Sequence, residues 1–270
     1  MAFIDLEVRR LMGKAIHSYK LIENGDRISV AVSGGKDSLL LLWLLRERLR
    51  RVPIKYAITA VHVDLGFDPE PASLLEAFFR REGFDYKIVS TDHGVKAHSA
   101  ENKENPCFLC ARLRRATLFR EARNLDSRKI AFGHNQDDLI ETFFINICYG
   151  GQVATMLPNQ PFFKGENSVV RPLALIPAAK VERLCQRLGL PVVPNPCPSA
   201  HRNIRTEVRS LLNGLCKGNR KVRGNIFHAM SNINWEYLPP PLHSRAAAKS
   251  SSAEQLEKSD HGRKEDPLSH

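Results

Sequence analysis

A glycine-rich hexapeptide, Ser33–Ser38 (SGGKDS), combines residue types that bind anions in proteins. The adjacent glycines Gly34 and Gly35 let the backbone approach an oxyanion, and amides at a helix N-terminus point towards such a ligand. Hydroxyl groups and the Lys36 ammonium add further donors. The spacing is not that of a Walker A loop, because Val30 stands where that motif has its first glycine, and it is not G-x-G-x-x-G either. The hexapeptide therefore predicts a phosphate site of another type.

Three cysteines could carry a second kind of chemistry. Cys107 and Cys110 form a C-x-x-C pair, and Cys197 follows much later in the chain. A C-x-x-C pair at a helix N-terminus is either redox-active or metal-binding in many proteins. Taken alone, the pair leaves metal binding, redox chemistry and a purely structural role open. Residues 111–115 (ARLRR) follow it directly, so dense positive charge is expected beside the thiols.

Carboxylates follow two of the predicted strands. The segment Gly133–Asp138 (GHNQDD) ends in the adjacent residues Asp137 and Asp138, which can either hold Mg²⁺ against phosphate or cap the next helix. His134 either contacts phosphate or caps that helix. Asp64 either contacts ATP or is an ordinary loop residue. Beside a phosphate loop, metal and nucleotide binding is the favoured interpretation.

The elements that must position these motifs alternate between strand and helix. Apolar and β-branched runs predict strands at residues 28–32, 57–63, 86–89, 129–133 and 169–174. Helical spacing predicts helices over residues 3–16, 38–51, 71–82, 108–124, 137–148, 177–188, 204–215 and 222–235. This rhythm indicates an α/β fold with a mainly parallel sheet, whose ligand lies at the carboxyl ends of the strands.

The same pattern divides the chain into four segments. We expect an N-terminal helix over residues 1–24, an α/β domain over 25–176 and a small C-terminal helical lobe over 177–238. Residues 239–270 have no apolar periodicity and are expected to form a disordered tail, because such a segment buries too little surface to offset its ordering entropy.

Composition and charge exclude several classes of protein. The 270 residues include 40 Lys and Arg against 29 Asp and Glu, a net charge of +11. The tail contains equal numbers of each, so the excess lies on the predicted folded part, which favours a polyanionic partner such as nucleic acid over a protein that is merely basic. The longest apolar run has seven residues against the roughly 20 of a membrane helix. With no secretory signal and no disulfide scaffold, we expect no membrane contact and a cytoplasmic location.

Together the motifs resemble the tRNA 2-thiocytidine synthetase (TtcA) family of N-type ATP pyrophosphatases. The resemblance covers roughly residues 21–235. It rests on IENGDRISVAVSGGKDS at residues 22–38, CFLCARLRR at 107–115, GHNQDDLIETFF at 133–144, YGG at 149–151 and VRPLA at 170–174. It implies a parallel-sheet PP-loop ATPase fold, of the adenine nucleotide alpha hydrolase-like and Rossmann-like type.

The resemblance also implies an activity. Members adenylate the 2-oxygen of a tRNA pyrimidine, here expected to be cytidine in the anticodon loop, release pyrophosphate, and replace the activated oxygen with sulfur. ATP would be bound by Ser33, Gly34, Gly35, Lys36, Asp37, Ser38, Asp64, Gly133, His134 and Asp138. Asp137 and Asp138 would hold Mg²⁺, and Cys107, Cys110 and Cys197 a [4Fe–4S] cluster, with Lys36, Asp137 and the three cysteines as the catalytic set. The partners implied are tRNA, a sulfur donor such as a cysteine desulfurase, and a second copy in a homodimer.

One departure from the family keeps a rival metal open. The family shows a second C-x-x-C near its C-terminus, whereas this chain has only Cys197 there. Three ligands suffice for a cluster, but His201 follows four residues later and allows a Cys₃His zinc site. Rival functions are a tRNA 2-thiouridine synthetase, a tRNA lysidine synthetase-like enzyme, and a non-catalytic RNA-binding or iron–sulfur assembly protein.

Other cysteines and arginines have less specific patterns. Cys148, Cys185 and Cys216 are expected to be buried small apolar side chains. Arginines cluster at residues 46–51, 112–123 and 202–223. Such runs are usually solvated helix faces, but the second begins at the cysteines, where a tRNA substrate would have to arrive.

Overall fold

A six-stranded sheet organises residues 3–199, 204–219 and 221–239, the part of the chain that the computed structural model describes. The strands, in chain order, are β1 (Arg27–Ala31), β2 (Ala57–Asp64), β3 (Tyr86–Ser90), β4 (Lys129–Ala131), β5 (Asn159–Phe162) and β6 (Asn167–Val170). Their spatial order is β3-β2-β1-β4-β6-β5. Every neighbouring pair is parallel except β5 and β6, which confirms the predicted α/β fold with a mainly parallel sheet.

Helices cover both faces of this sheet. They are α1 (Phe3–Ser18), α2 (Lys36–Arg48), α3 (Glu70–Glu82), α4 (His93–Ala97), α5 (Pro106–Asn124), α6 (Gln136–Gly150), α7 (Ala178–Arg187), α8 (Ile204–Cys216) and α9 (Lys221–Ala229). Side chains alternate along β2, so Ala60 joins a core with α1, α2, α3 and α7, while Val61 and Val63 pack with Leu118 of α5. The seven apolar residues at 39–45 lie in α2, between the sheet and α7.

The C-terminal helices pack in two places. Helix α7 contacts α1 and α2, whereas α8 and α9 contact α6 through a small core around Ile140, Val208 and Leu212. The division into four segments stays a prediction. By its internal contacts the chain separates into residues 1–231 and residues 232–270, and the described part of the second unit contains a 3-10 turn at Trp235–Tyr237. Residues 240–270, predicted as a tail, lie outside the described residues.

Four elements differ from the sequence prediction. The strand predicted over 169–174 ends at Val170, because Pro172 has no amide hydrogen to donate to a neighbour. The edge strand β5 and the short helix α4 were not predicted. The helix predicted over 222–235 ends at Ala229. No helix in the described part of the chain is long and apolar enough to span a membrane.

Candidate functional site

A cavity of about 370 Å³ opens at the carboxyl ends of β1, β2 and β4. This is the edge at which a parallel α/β sheet binds ligands. The predicted site residues that line it are Ser33, Gly35, Asp37, Ser38, Asp64, Gly133, His134 and Asp138. Gly34 and Lys36 belong to the same loop but not to the residues that line the cavity. The structure therefore gathers three separate sequence motifs around one space.

The loop between β1 and α2 is held in shape by its own serines. The Ser38 hydroxyl donates to the Gly35 carbonyl at 2.9 Å and accepts from the Ser33 amide at 3.1 Å. Gly34 has a φ of +88°, which a residue with a side chain rarely adopts. Gly35 precedes the first turn of α2, and no side chain of the described residues caps that turn. The helix N-terminus is thus preformed for an anion.

Gly133 allows the end of β4 to touch the start of α2. A Cβ atom on Gly133 would lie 2.8 Å from the Asp37 carbonyl carbon and 2.8 Å from the Ser38 nitrogen, so any side chain there would separate the two elements. A hydrogen bond joins the motifs further, because the Asn135 side-chain amide donates to Asp37 Oδ1 at 2.9 Å. Burial raises the pKa of Asp37, and this hydrogen bond and the charge of Lys36 oppose the shift.

Asp138 caps α6, one of the two roles that the sequence left open. Its carboxylate accepts from the Asn135 amide at 2.9 Å, while the Asn135 side chain accepts from the first amides of α6. This reciprocal pair is a capping box. The Asp138 side chain also lines the cavity. Burial raises the pKa of Asp138 to about 6, against the hydrogen bond from Asn135, and the nearby Asp37 carboxylate adds to the rise.

Asp137 has a different environment from its neighbour. It is buried, one carboxylate oxygen accepts from the Ala178 amide at the start of α7 at 2.6 Å, and the other pairs with Arg223 of α9. It does not line the cavity. The aspartates that line the cavity are Asp37, Asp64, Asp68 and Asp138. Adjacent residues of a helix point in directions about 100° apart, which separates the two aspartates.

His62, which sequence reasoning did not assign to the site, also lines the cavity. Its Nδ1 lies 2.8 Å from the Val32 carbonyl, so this nitrogen carries the hydrogen that it donates, and Nε2 is left as an acceptor. Burial lowers the pKa of His62, which keeps the ring neutral. The signal available in the sequence was its place near the end of β2, two residues before Asp64. The Asp64 carboxylate accepts from the Gly66 amide at 3.0 Å.

Arg171 is a second residue that sequence reasoning missed. It follows β6 and donates through Nε to His134 Nδ1 at 3.2 Å. Burial lowers the pKa of His134 to about 3, and the charges of Arg171 and other arginines add to the effect. The imidazole is stacked on Phe132, with ring centroids 5.5 Å apart. A cationic side chain directly after a buried strand was the available signal.

The C-x-x-C pair occupies the first turn of α5. Asn105 caps this helix by accepting from the Cys107 amide at 3.0 Å, and Cys107 is exposed while Cys110 is buried. Burial raises the pKa of Cys110; the charge of Arg114 opposes this rise, and the charges of Cys197 and Cys107 add to it. Cys107 and Cys197 therefore lie within electrostatic range of Cys110.

The loop that carries Cys197 is attached to the phosphate loop. The Val193 amide donates to the Gly34 carbonyl at 3.0 Å, and residues 193–196 line the cavity. Ser199 Oγ lies 2.8 Å from His98 Nε2 of the segment after α4. Among the described residues, no three His, Cys, Asp or Glu side chains converge closely enough to bind one metal ion. His201, the fourth ligand of the rival zinc site, lies outside the described residues.

The remaining cysteines differ in their exposure, and the remaining arginines differ in their partners. Cys185 is buried and Cys216 half-buried, but the expectation of burial is wrong for Cys148, which is exposed at the end of α6. Arg114 lines the cavity. Arginines of the C-terminal helices pair instead with carboxylates of α6: Arg205 with Asp138 and Glu141, Arg209 with Glu141, and Arg223 with Asp137.

The chain is similar to known proteins at two levels, a broad class and a narrower family. A family model described as a PP-loop domain matches residues 5–215. The tRNA-cytidine(32) 2-sulfurtransferase of Idiomarina loihiensis is 37% identical over 232 residues, which are 85% of this chain and 77% of that protein. The enzyme of the same name from Syntrophotalea carbinolica is 37% identical over 86% of this chain and 91% of its own length.

Within the PP-loop class, the chain belongs to the tRNA-cytidine 2-sulfurtransferase (TtcA) family, as its motifs predicted. A solved structure also shares the fold. The U34-tRNA thiolase NcsA from Methanococcus maripaludis, determined with its [4Fe–4S] cluster, superposes with a TM-score of 0.71 and 24% identity, covering 90% of this chain and 83% of that one. This similarity confirms the predicted PP-loop architecture.

Proposed function

We propose that the protein is an ATP-dependent tRNA sulfurtransferase that replaces the 2-oxygen of cytidine 32 with sulfur. The observation that carries the proposal is the hydrogen bond from the Val193 amide to the Gly34 carbonyl. It attaches the loop bearing Cys197 to the phosphate loop, so that nucleotide activation and thiol chemistry would share one cavity. Family membership supplies the substrate.

The phosphate loop would perform the activation. The uncapped amides of α2 and the Lys36 ammonium would bind the terminal phosphates of ATP, leaving the α-phosphate open to attack by the 2-oxygen of the base. Adenylation converts an oxygen that leaves poorly into AMP, which leaves readily, and divides one difficult step into two easier ones. His62 offers its Nε2 acceptor to the nucleotide from the wall formed by β2.

Magnesium would be held at Asp138. Asp37 also lines the cavity, and its charge adds to the rise that burial causes in the pKa of Asp138. We assign this role to Asp37 instead of the predicted Asp137, because Asp37 lines the cavity and Asp137 does not. Mg²⁺ needs only one or two protein carboxylates when phosphates and waters complete its coordination.

Cys107, Cys110 and Cys197 would hold the [4Fe–4S] cluster. The donor set has the right chemistry, because thiolates are the ligands of such clusters and the charges of Cys107 and Cys197 both add to the rise that burial causes in the pKa of Cys110. The three described thiols do not converge on one metal position, so binding of the cluster would have to draw them together. When bound, the cluster would supply a site from which sulfur reaches the activated carbon. Arg114 favours the thiolate form of Cys110, and the sulfur would come from a donor such as a cysteine desulfurase.

The substrate would reach the site along α5. Arg114 lies on the cavity wall and Arg115 is exposed on the same helix, where each could contact the tRNA backbone. A cytoplasmic location and a homodimer complete the proposal; light scattering after gel filtration tests the second.

Reconstitution with purified protein tests the proposal directly. Protein prepared without oxygen is incubated with ATP, Mg²⁺, sulfide and unmodified tRNA, and both pyrophosphate and 2-thiocytidine are measured. We expect both products from the unaltered protein. Cys107→Ala should still bind ATP but form no 2-thiocytidine, because the thiol is separate from the phosphate loop. Cys148→Ala, which removes an exposed thiol remote from the cavity lining, should retain activity.

Two results would contradict the assignment of the cysteines. If Cys107→Ala still forms 2-thiocytidine, the cysteines do not deliver the sulfur. If the purified protein contains zinc without iron and acid-labile sulfide, the Cys₃His alternative with His201 replaces the cluster.

A further inference from the structure

Arg171 is a buried cation whose partners are all neutral. The residue is only 6% exposed. Its side chain forms no ion pair within the described part of the chain. Burial and the charge of Arg115 lower the pKa of Arg171 to about 10, so the guanidinium remains charged at neutral pH. A buried charge without a counter-charge costs several kcal/mol, which indicates that an anion compensates it in the working protein.

Groups at the edge of the sheet accept hydrogen bonds from this guanidinium. Nη1 donates to the Leu157 carbonyl and Nη2 to Gln160 Oε1 at 3.2 Å, while the third direction, through Nε, points to His134. Leu157 and Gln160 flank the beginning of β5, the antiparallel edge strand. The fork geometry of arginine therefore fixes the guanidinium between β5 and the cavity wall.

This contact determines the tautomer of His134. Because Arg171 Nε can only donate, His134 Nδ1 must be the acceptor, and Nε2 then carries the imidazole hydrogen. The low pKa of His134 keeps the ring neutral, and stacking on Phe132 fixes its plane. The ring lines the cavity that also contains Ser33, Gly35 and Asp138. An N–H donor at this place suits a phosphate oxygen.

We propose that Arg171 is a positioning residue that holds His134 as the Nε2–H tautomer, so that the imidazole donates a hydrogen bond to an anionic oxygen of the nucleotide in the cavity. The inference rests on the proposed function for the identity of the nucleotide. Negative charge increases on the phosphates as pyrophosphate leaves, and a preoriented donor there stabilises the transition state. The buried charge of Arg171 adds a favourable potential behind the same ring.

Nitrogen-15 NMR of the histidine side chains tests the tautomer without any substrate. In the unaltered protein, long-range correlation spectra should show His134 with an unprotonated Nδ1 and a protonated Nε2, unchanged between about pH 8 and about pH 5. In Arg171→Met, both tautomers should appear. Arg46→Met is the matched control, since it removes a half-buried guanidinium that bonds Glu82 and lies over Phe84, and it should leave the His134 signals unchanged.

Kinetics supply the second readout. Arg171→Met should reduce kcat for pyrophosphate release by about tenfold while KM for tRNA stays the same, because orientation at the reacting centre is lost. Arg171→Lys, which keeps the charge but not the fixed fork of donors, should recover part of the rate. If the methionine variant does not fold, Arg171→Lys is compared in the same spectra, because it keeps the buried charge but removes the Nε donor to His134 Nδ1.

The proposal is overturned if His134 in the unaltered protein carries its hydrogen on Nδ1, or if a folded Arg171→Met releases pyrophosphate at the original rate. Failure of the proposed function has a different signature. In that case the Nε2–H tautomer and its dependence on Arg171 would be observed, but no 2-thiocytidine would form.

Discussion

Two arginine-rich regions, α5 and the pair α8–α9, use similar residues in opposite ways. In α8 and α9, Arg205, Arg209 and Arg223 bind carboxylates of α6. In α5, Arg114 lines the cavity and Arg115 is exposed, and no described carboxylate pairs with either. The arginines of α8 and α9 hold helices together. In α5, Arg112 and Arg120 pair with glutamates, whereas Arg114 and Arg115 leave their charge available to a ligand.

The difference shows that a count of charges does not identify a nucleic-acid surface. Both regions contribute to the net charge of +11, and both looked basic in the sequence. Only the position of α6, with Glu141 at 2% exposure between the arginines, reveals which charges are neutralised within the protein. Buried ion pairs bind segments of the chain to each other, whereas unpaired surface cations attract phosphate.

The ion pairs between α8 and α6 should contribute most to stability. Arg209→Met should reduce the free energy of unfolding by about 2.5 kcal/mol, because the buried Glu141 loses hydrogen bonds of 2.6 and 3.1 Å while its contact with Arg205 remains. Urea unfolding followed by circular dichroism measures this. Arg115→Met is the control and should change stability by less than about 0.5 kcal/mol. Equal losses in the two variants would refute the distinction.

A smaller effect on stability should come from the protonation of His134, which lines the cavity. The pKa of His134 is about 3 in the folded protein and ordinarily 6.5, so the unfolded chain takes up the proton first. This histidine therefore adds stability above pH 6.5, which is lost as the pH falls. Relative to His134→Gln, the unaltered protein should lose about 2 kcal/mol of unfolding free energy between about pH 6.5 and about pH 5.

The comparison with the glutamine variant cancels the other titrating groups, such as Asp138, whose raised pKa acts in the opposite direction. Parallel stability curves for the two proteins would show that His134 does not carry the low pKa.

Loss of a single arginine from the proposed tRNA surface on α5 should have a more modest effect. Arg115→Gln should weaken tRNA binding by about tenfold and reduce the slope of log affinity against log salt by about one, as expected when one phosphate contact is lost. Filter binding at several salt concentrations measures both. Arg209→Gln should leave the slope unchanged. A reduced slope for Arg209→Gln alone would place the RNA on the C-terminal helices instead.

Local motifs could be predicted well from the sequence. The phosphate loop follows β1, and the strand ends at Asp64 and Gly133 reach the same sheet edge, because parallel strands place their carboxyl ends together. The edge strand β5 was missed for a physical reason. Its sequence, NQPF, lacks β-branched residues and contains a proline, which the edge of a sheet tolerates.

Side-chain partners could not be predicted in the same way. Asp137 and Asp138 are adjacent, yet one binds Ala178 and Arg223 while the other lines the cavity. Arg171 stood in a recognisable motif, but its role depends on Leu157, Gln160 and His134, which only the folded sheet edge brings together. Long-range pairing of polar groups is a property of tertiary packing.

The most direct test of the proposed function is nucleoside analysis of total tRNA by mass spectrometry. The strains compared lack this gene or carry it back as the unaltered form or as Cys107→Ala. We expect 2-thiocytidine to disappear with the gene and to return only with the unaltered form. Persistence of 2-thiocytidine in the deletion strain, together with loss of another thionucleoside or of lysidine, would contradict the assigned substrate.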